Sequence, residues 1–415
     1  MSGTTVRRPD VAVTGLGLVT PAGVGVSDTW ERVCRGEPTA ASDPDLAGLP
    51  VDFSCRVRGL EGPKGFERGI GRASWRMGRF VKLAVLAARE AVRDAGLDPG
   101  TWDGARVAVV IGCGMGGTHK WEEQCRRLRE QGPDLVSPAA LPQIIPNMAA
   151  GEVSIDLRAH GPSLATSTAC ASGASALAVA RDMLAVGSCD IAVAGGSEAA
   201  VSPLTTTAFH RMGALSTRTG DPAAASRPFA ADRDGFVMAE GAGVLVLERA
   251  DDAAARGRRP RALLAGCGTT SDAHHPTAPP DGAPGAEAAL RCALRDAGLA
   301  PYDIDHVNAH GTSTPLNDAT EAALITRALP HRPTVTASKG VLGHALGAAG
   351  AIEAALTVLT VEQRRVPPIA NLEAPAVEFD IDCVTKQVRQ QNVRAAVSSS
   401  FGFGGHNVVL VLKEA

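Results

Sequence analysis

The chain has 415 residues, of which 45% are hydrophobic and 20% charged, with a formal net charge of −3. That composition supports a large buried core and excludes wholesale disorder. The missing basic surplus and the 3% aromatic content, with a single Tyr, argue against nucleic acid as a partner.

The longest apolar run near the N-terminus, residues 11–26, follows Arg7 and Arg8. Gly15, Gly17, Thr20, Pro21 and Gly23 interrupt it and no Ala-x-Ala site closes it, so no secretory leader is expected. No stretch reaches the ~20 apolar residues of a membrane span. The nine cysteines are odd in number and contain no C-x-x-C pair. This speaks against a zinc framework or a secreted disulfide scaffold, and for a reducing, cytoplasmic setting.

Along the chain, apolar β-type runs alternate with helical patterns. Residues 10–17 (DVAVTGLG) predict a buried strand and 80–95 a helix that stops at Gly96. A strand is predicted at 106–112, a polar helix at 119–131, a Pro-rich connection at 138–146 and a helix from Asn147. Residues 170–186 predict a helix and 189–196 a strand. Strands follow at 243–248 and 261–266, a helix at 285–297, a strand at 304–309, helices at 317–329 and 347–363, and a strand pair at 393–400 and 407–412. The Arg/Asp-rich loop 216–234 is expected at the surface or an interface. Continuous apolar strands between helices imply an α/β fold with sheets covered on both faces. The pattern runs twice: each half opens on a strand and carries a Gly/Ser/Thr-rich turn into a small-residue helix.

Four segments could carry chemistry. In TSTACASG (166–173) Cys170 opens a helix, whose free N–H groups and positive end favour a thiolate and lower its pKa. The small Ala171, Ser172 and Gly173 would let a substrate come close; the plain alternative is a buried structural Cys. In NAHGTSTPLND (308–318) His310 ends a strand, with Thr312 and Thr314 beside it. SKGVLGHALGAAGAIE (338–353) sets Lys339, His344 and Glu353 among glycines and alanines. A tight helix contact explains the small residues but not the His and Lys. FGFGGHN (401–407) can aim backbone donors at an oxyanion, or be a tight turn only. Three decoys stand beside them. GCGMGG (112–117) matches a dinucleotide fingerprint but lacks the second strand ending in an acid. GGSEA (195–199) approaches a serine-hydrolase elbow at Ser197, with Ala for its last Gly. His274–His275 has no ligand partners at metal spacing.

Together with VAVTGLGLVTPAG (11–23) and RPFAADRDGFVMAEGAG (227–243), these segments resemble the β-ketoacyl-acyl carrier protein synthases over nearly the whole chain, the fatty-acid synthase II type most closely. The resemblance implies the thiolase fold, two similar βα halves in five α-β-α-β-α layers, with halves at 1–260 carrying the Cys and 261–415 carrying the two His. It implies a dimer and an acyltransferase performing decarboxylative condensation of an acyl chain on Cys170 with malonyl-acyl carrier protein. Carried over are Cys170, His310, His344, Lys339 and Glu353 as catalytic residues. The N–H groups of Cys170 and Phe403 form the oxyanion hole, with Phe403 also as gate, and Thr312, Thr314, Met115 and Phe401 bind substrate. No metal or resident cofactor is implied, because the phosphopantetheine arm belongs to the acyl carrier protein.

Departures bear on chain length and pathway. Ser399 and His406 stand where many fatty-acid members have Asn and Thr, Leu316–Asn317 precede Asp318, and Met115 stands at a gating aliphatic position. The alternative within the family is the active subunit of a ketosynthase/chain-length-factor heterodimer making a reduced polyketide or polyene. Outside it, the alternatives are a serine hydrolase using Ser197 and a non-catalytic partner subunit.

Overall fold

A computed structural model describes residues 9–60 and 70–415; Arg7 and Arg8 lie outside the described residues. One mixed sheet carries the molecule. Its strands, in order across it, are Asp382–Cys383, Thr334–Thr336, His306–Asn308, Ala395–Gly402, His406–Lys413, Ala262–Ser271, Val11–Thr20, Gly241–Arg249, Ile191–Glu198, Val107–Gly112 and Ser163–Thr166. Gly23–Val24 pairs off this row with Val11–Thr20.

The order repeats. From Val11–Thr20 outward, the first half runs as its first, fifth, fourth, second and third strands in chain order. From Ala262–Ser271 outward, the second half runs the same way over five strands, with the same antiparallel and parallel pairings, and carries Asp382–Cys383 as an additional edge strand. The two leading strands meet antiparallel, Ala12 opposite Leu263 and Val13 opposite Ala262.

Glycines repeat with the strands. A Cβ on Gly17 would stand 1.9 Å from Ala87 O, and one on Gly268 1.9 Å from Ala289 O. Each leading strand therefore touches the backbone of its outer helix, Arg79–Asp94 in one half and Pro284–Ala297 in the other. Such contact is open only to residues without a Cβ.

Between the two parts of the sheet run the helices Ser172–Ala185 and Ala349–Gln363. The second is buried continuously from Ala349 to Val361, as expected for a helix apolar all round. They cross through small residues: a Cβ on Gly173 would lie 2.9 Å from Ala351 Cβ, and one on Gly350 2.9 Å from Ala174 Cβ. Outer helices, sheet, central helices, sheet and outer helices give the five α-β-α-β-α layers of the thiolase fold. Among the described residues the three largest apolar clusters follow this layering, one central and two outer, with two small clusters beside them.

Several elements differ from expectation. The first strand continues to Thr20, through a bulge between Val13 and Gly15 that lets it turn with its neighbour. The expected connection 138–146 contains a short helix, Ala140–Ile144. Strand Thr334–Thr336 and helix Pro203–Arg211 carried too few periodic residues to be predicted. The loop 216–234 is not simply surface, because Ser226, Arg227 and Phe229 are buried. There Ser226 Oγ donates to Lys339 O at 2.6 Å, and Phe229 N donates to Asp318 Oδ2 at 2.8 Å. These pairings brace the segments that carry His310 and Lys339.

Candidate active site

The turn at Cys170 is strained and tied. Ala169 has φ +49, in the left-handed region that costs an alanine energy. Ser172 holds the turn, accepting from Thr168 N at 2.9 Å and donating to Ala169 O at 2.6 Å. Cys170 follows in a single 3₁₀ turn, Ala169–Ala171, that runs directly into the central helix Ser172–Ala185. The small Ala171, Ser172 and Gly173 do not face a substrate, as their size suggested. They are buried, and Gly173 serves the crossing of the two central helices.

His344 comes from the loop ahead of the other central helix. Its N–H donates to Val237 O at 2.7 Å and its carbonyl accepts from Ala239 N at 3.0 Å. Gly343 before it has φ +68, and a Cβ there would meet Cys55 Sγ at 2.7 Å. The ring stands edge-on to Phe236, centroids 5.2 Å apart. His344 Nε2 lies 3.1 Å from Cys170 Sγ, while Nδ1 accepts from Leu346 N at 3.3 Å. An Nδ1 that accepts leaves the proton on Nε2, so the hydrogen-bond network assigns an Nε2–H facing the sulfur.

His310 is set by the following helix, Pro315–Ala328. Glu321 on that helix takes His310 N at 2.7 Å and Gly311 N at 2.8 Å. Lys339 Nζ donates to His310 O at 2.6 Å and to Glu353 Oε1 at 2.5 Å, and stands 3.3 Å from His310 Nδ1. An ammonium has only donors, so Nδ1 accepts and Nε2 again carries the proton. The two imidazole rings are 5.4 Å apart between centroids.

Charge follows from this packing. Burial, then the charge of Lys339, holds both His310 and His344 well below the usual imidazole range, so both are neutral. Burial pushes the Cys170 thiol up to about 12, with Lys339 pulling the other way. The shift is opposite to the depressed thiol expected from a helix start, and its largest cause is desolvation.

A cavity of about 680 Å³ opens onto these groups. Cys170, His310, His344, Met115, Thr312 and Thr314 line it, as do Phe401 and Phe403. Thr312 and Thr314 hydroxyls pair at 2.9 Å. Gly402 lies so close to the Cys170 turn that a Cβ there would be 3.2 Å from Cys170 N, which brings the 401–403 strand end against Cys170. Sequence reasoning missed Phe209 and Phe236, which also line the cavity with rings 5.3 Å apart, and it missed Glu321. Glu321 was detectable: with Asp318 it forms an acidic i, i+3 pair just inside a helix start, and both side chains reach back to the preceding loop.

The decoys resolve structurally. Ser197 is fully buried and its Oγ donates to Phe80 O at 2.6 Å, so it cannot reach a substrate. GCGMGG runs into the polar helix Thr118–Gln131, without the second strand of a dinucleotide fold. His275 Nδ1 accepts from Thr277 N and Ala278 N, and no metal-binding group of three His, Cys, Asp or Glu occurs among the described residues. All nine cysteines are free, and no helix among the described residues is long and apolar enough to cross a membrane.

The family profile described as Beta-ketoacyl synthase, N-terminal domain, matches residues 8–253, and that described as Beta-ketoacyl synthase, C-terminal domain, matches 261–373. A 3-oxoacyl-[acyl-carrier-protein] synthase 2 of Synechocystis sp. is 42% identical over 415 residues, covering 99% of each chain. Among solved structures, the ishigamide ketosynthase/chain length factor superposes with a TM-score of 0.91 at 33% identity, covering 98% of this chain and all of that one. A type II polyketide ketosynthase in complex with its acyl-carrier protein and bound to the hexaketide gives 0.90 at 32%, over 98% and 100%. With two neutral imidazoles and a cysteine on one cavity and both halves of the chain matched, this chain belongs to the β-ketoacyl synthase family.

Proposed function

We propose that this chain is an acyltransferase that elongates acyl chains by decarboxylative condensation, as a 3-oxoacyl-acyl carrier protein synthase. The observation that carries the reading is the convergence of Cys170 Sγ, His310 and His344 on one cavity, each imidazole neutral with its proton on Nε2. Cys170 attacks the thioester of an acyl carrier protein, and its proton ends on the released phosphopantetheine thiol. The Cys170 and Phe403 N–H groups receive the developing oxyanion. A malonyl thioester then binds along Thr312 and Thr314. Its carboxylate leaves as CO₂ while the two Nε2–H groups stabilise the enolate oxygen. The enolate carbon attacks the acyl-Cys170 carbonyl, the Cys170 thiolate leaves and takes up one proton from solvent, the proton that balances loss of the carboxylate as CO₂, and 3-oxoacyl carrier protein departs. Lys339, neutralised by Glu353, orients His310 and keeps it uncharged. Met115, Phe401 and Phe403 bound the acyl chain.

The groups this chain supplies suffice for every step, so the only prosthetic arm is the one the carrier protein brings. We place the reaction in the cytoplasm and assign the halves 1–260 and 261–415 to the nucleophile and the imidazoles. Fatty-acid elongation is the first reading, supported by the 42% identity to a 3-oxoacyl-[acyl-carrier-protein] synthase 2. The second is the active subunit of a ketosynthase/chain-length-factor pair, supported by the likeness to such an assembly. The test is intact mass after incubation with a panel of acyl-carrier thioesters. Wild-type protein should gain one acyl group, and Cys170→Ala, folded but lacking the sulfur, should gain none and elongate nothing. Acylation or elongation by Cys170→Ala at near wild-type rate would sink the assignment.

A further inference from the structure

Glu198 takes no part in the chemistry above, yet its carboxylate stands where the turns of the site meet. It ends the strand Ile191–Glu198 and is fully buried. Oε2 accepts from Gly114 N at 2.7 Å, from Met115 N at 3.2 Å and from Gly347 N at 3.3 Å. Oε1 stands 3.3 Å from Met115 N and 3.4 Å from Cys113 Sγ. Gly114 and Met115 belong to the turn that borders the cavity, and Gly347 to the turn that follows His344. No Lys, Arg or His among the described residues forms an ion pair with this carboxylate.

The surrounding backbone leaves no slack. A Cβ on Gly347 would stand 2.4 Å from Gly114 N and 2.7 Å from Glu198 Oε2. One on Gly114 would stand 2.9 Å from Glu198 Oε2 and 3.6 Å from Ala169 O, beside the nucleophile. Two glycines are thus required so that two turns can close on one carboxylate.

A buried carboxylate without a counter-ion is expensive, and an apolar side chain would fill the same space at lower cost. What the carboxylate does that an apolar group cannot is accept three amides from two separate turns. Those amides pull against burial, which pushes the carboxyl up to about 7.

We propose that Glu198 is a positioning residue for the acyl chamber: it clamps the turn carrying Met115 to the turn behind His344, and so sets the length of acyl chain that the chamber accepts. This rests on the reading of the cavity as an acyl pocket. Met115, 37% exposed on the cavity rim, has an adaptable side chain whose reach depends on where its backbone is held.

The experiment uses Glu198→Gln, which keeps the shape but offers one acceptor oxygen and turns an NH₂ towards the amides. Acylation of Cys170 is measured by intact mass with butyryl- and hexadecanoyl-carrier thioesters, in the wild-type and Met115→Ala backgrounds. Losing charge-assisted bonds to the clamp should change the long-to-short ratio about tenfold in the wild-type background. In the Met115→Ala background that change should vanish, because the two residues act through one turn. Amide exchange at 113–115 and 346–348 should quicken while exchange in the central helices stays slow. An unchanged ratio, or an equal change in both backgrounds, overturns the proposal. Should Glu198→Gln fail to fold, Glu198→Asp, which withdraws the carboxylate by one methylene, is read by the same criteria. If wild-type protein accepts no acyl group at all, the functional reading fails, and amide exchange alone decides on the clamp: unaltered exchange removes it.

Discussion

His310 and His344 keep their Nε2 protons because each Nδ1 is already occupied, one by Lys339 Nζ and the other by Leu346 N. An imidazole that is neutral and correctly tautomeric donates without first having to lose or gain a proton. His310→Ala and His344→Ala should therefore each slow CO₂ release from malonyl-carrier thioester about 10²–10³-fold, the usual cost of one oxyanion donor. Unchanged release in both variants would remove the paired-donor mechanism. The same environment makes a prediction about pH. With the Cys170 thiol pushed up to about 12, its thiolate fraction is small at neutral pH and grows tenfold per pH unit below that value. Alkylation of Cys170 by iodoacetamide should rise without a plateau from pH 7 to about pH 10, because the thiol gains thiolate continuously below its pKa. A plateau below pH 8 would mean an ion pair with His344 instead. His344 and Lys339 stood out in the sequence because a tight helix contact explains the small residues around them but not a His and a Lys, while the roles of Cys170, His310 and Glu353 came from the family resemblance of their motifs. Glu198 could not be picked out, since a single Glu carries no sign of which backbone amides it will meet, whereas Glu321 was marked by its i, i+3 pairing with Asp318 just inside a helix start.

Among the elements, the leading strands make the sharpest case. VAVTGLG and LLAGCGT place two glycines at the same spacing in strands of opposite halves, Gly15 and Gly17 in one, Gly266 and Gly268 in the other. Alternation puts each pair on one face, and that face meets helix backbone. Gly17→Ala would drive a methyl to within 1.9 Å of Ala87 O, a contact that only displacement of the helix Arg79–Asp94 can relieve. Overpacking of this kind should cost about 3 kcal/mol, at the upper end of the usual range. Denaturant unfolding should record it as a lowered midpoint, and an unchanged midpoint would show that the helix yields freely. Helices with long apolar periodicity, 79–94 and 349–363, were legible in sequence to within a residue or two. Thr334–Thr336 was not, because three residues cannot display a period. The sequence 216–234 was misread for the opposite reason: its arginines and aspartates look solvated, but Arg227 is buried with its guanidinium on Asp232 and Asp234.

At the scale of the whole molecule, the sheet ends at Ser163–Thr166, an edge strand with Ser163, Leu164 and Ala165 exposed. An uncovered edge carrying an apolar side chain is a surface for another chain. Leu164 is 42% exposed, which suits it to an interface between subunits. We expect the protein to sediment at twice 42.5 kDa, and Ala165→Pro, which removes an N–H that points out from the edge, to shift it towards the single chain. Sedimentation of both proteins as single chains would refute pairing at this edge. A partner of different mass in purified native protein would identify the heterodimer.

The sequence by itself determined the alternation of strands and helices, the doubling of that pattern, and the family to which the motifs belong. Those features are local: periodicity, glycine spacing and short runs of chemically unusual residues are written within a few residues of one another. Tertiary structure alone decided that Cys170 and His344, 174 positions apart in the chain, stand 3.1 Å from each other, and that burial pushes the thiol there up. Distance, burial and desolvation depend on which surfaces of remote segments meet, and no local pattern records that. It also decided that Ser197, a candidate nucleophile on paper, is sealed beneath Phe80, and that Glu198 next to it joins the two turns bordering the reaction chamber. Adjacent residues on a strand point to opposite faces, so one position separates a buried hydroxyl from a buried clamp.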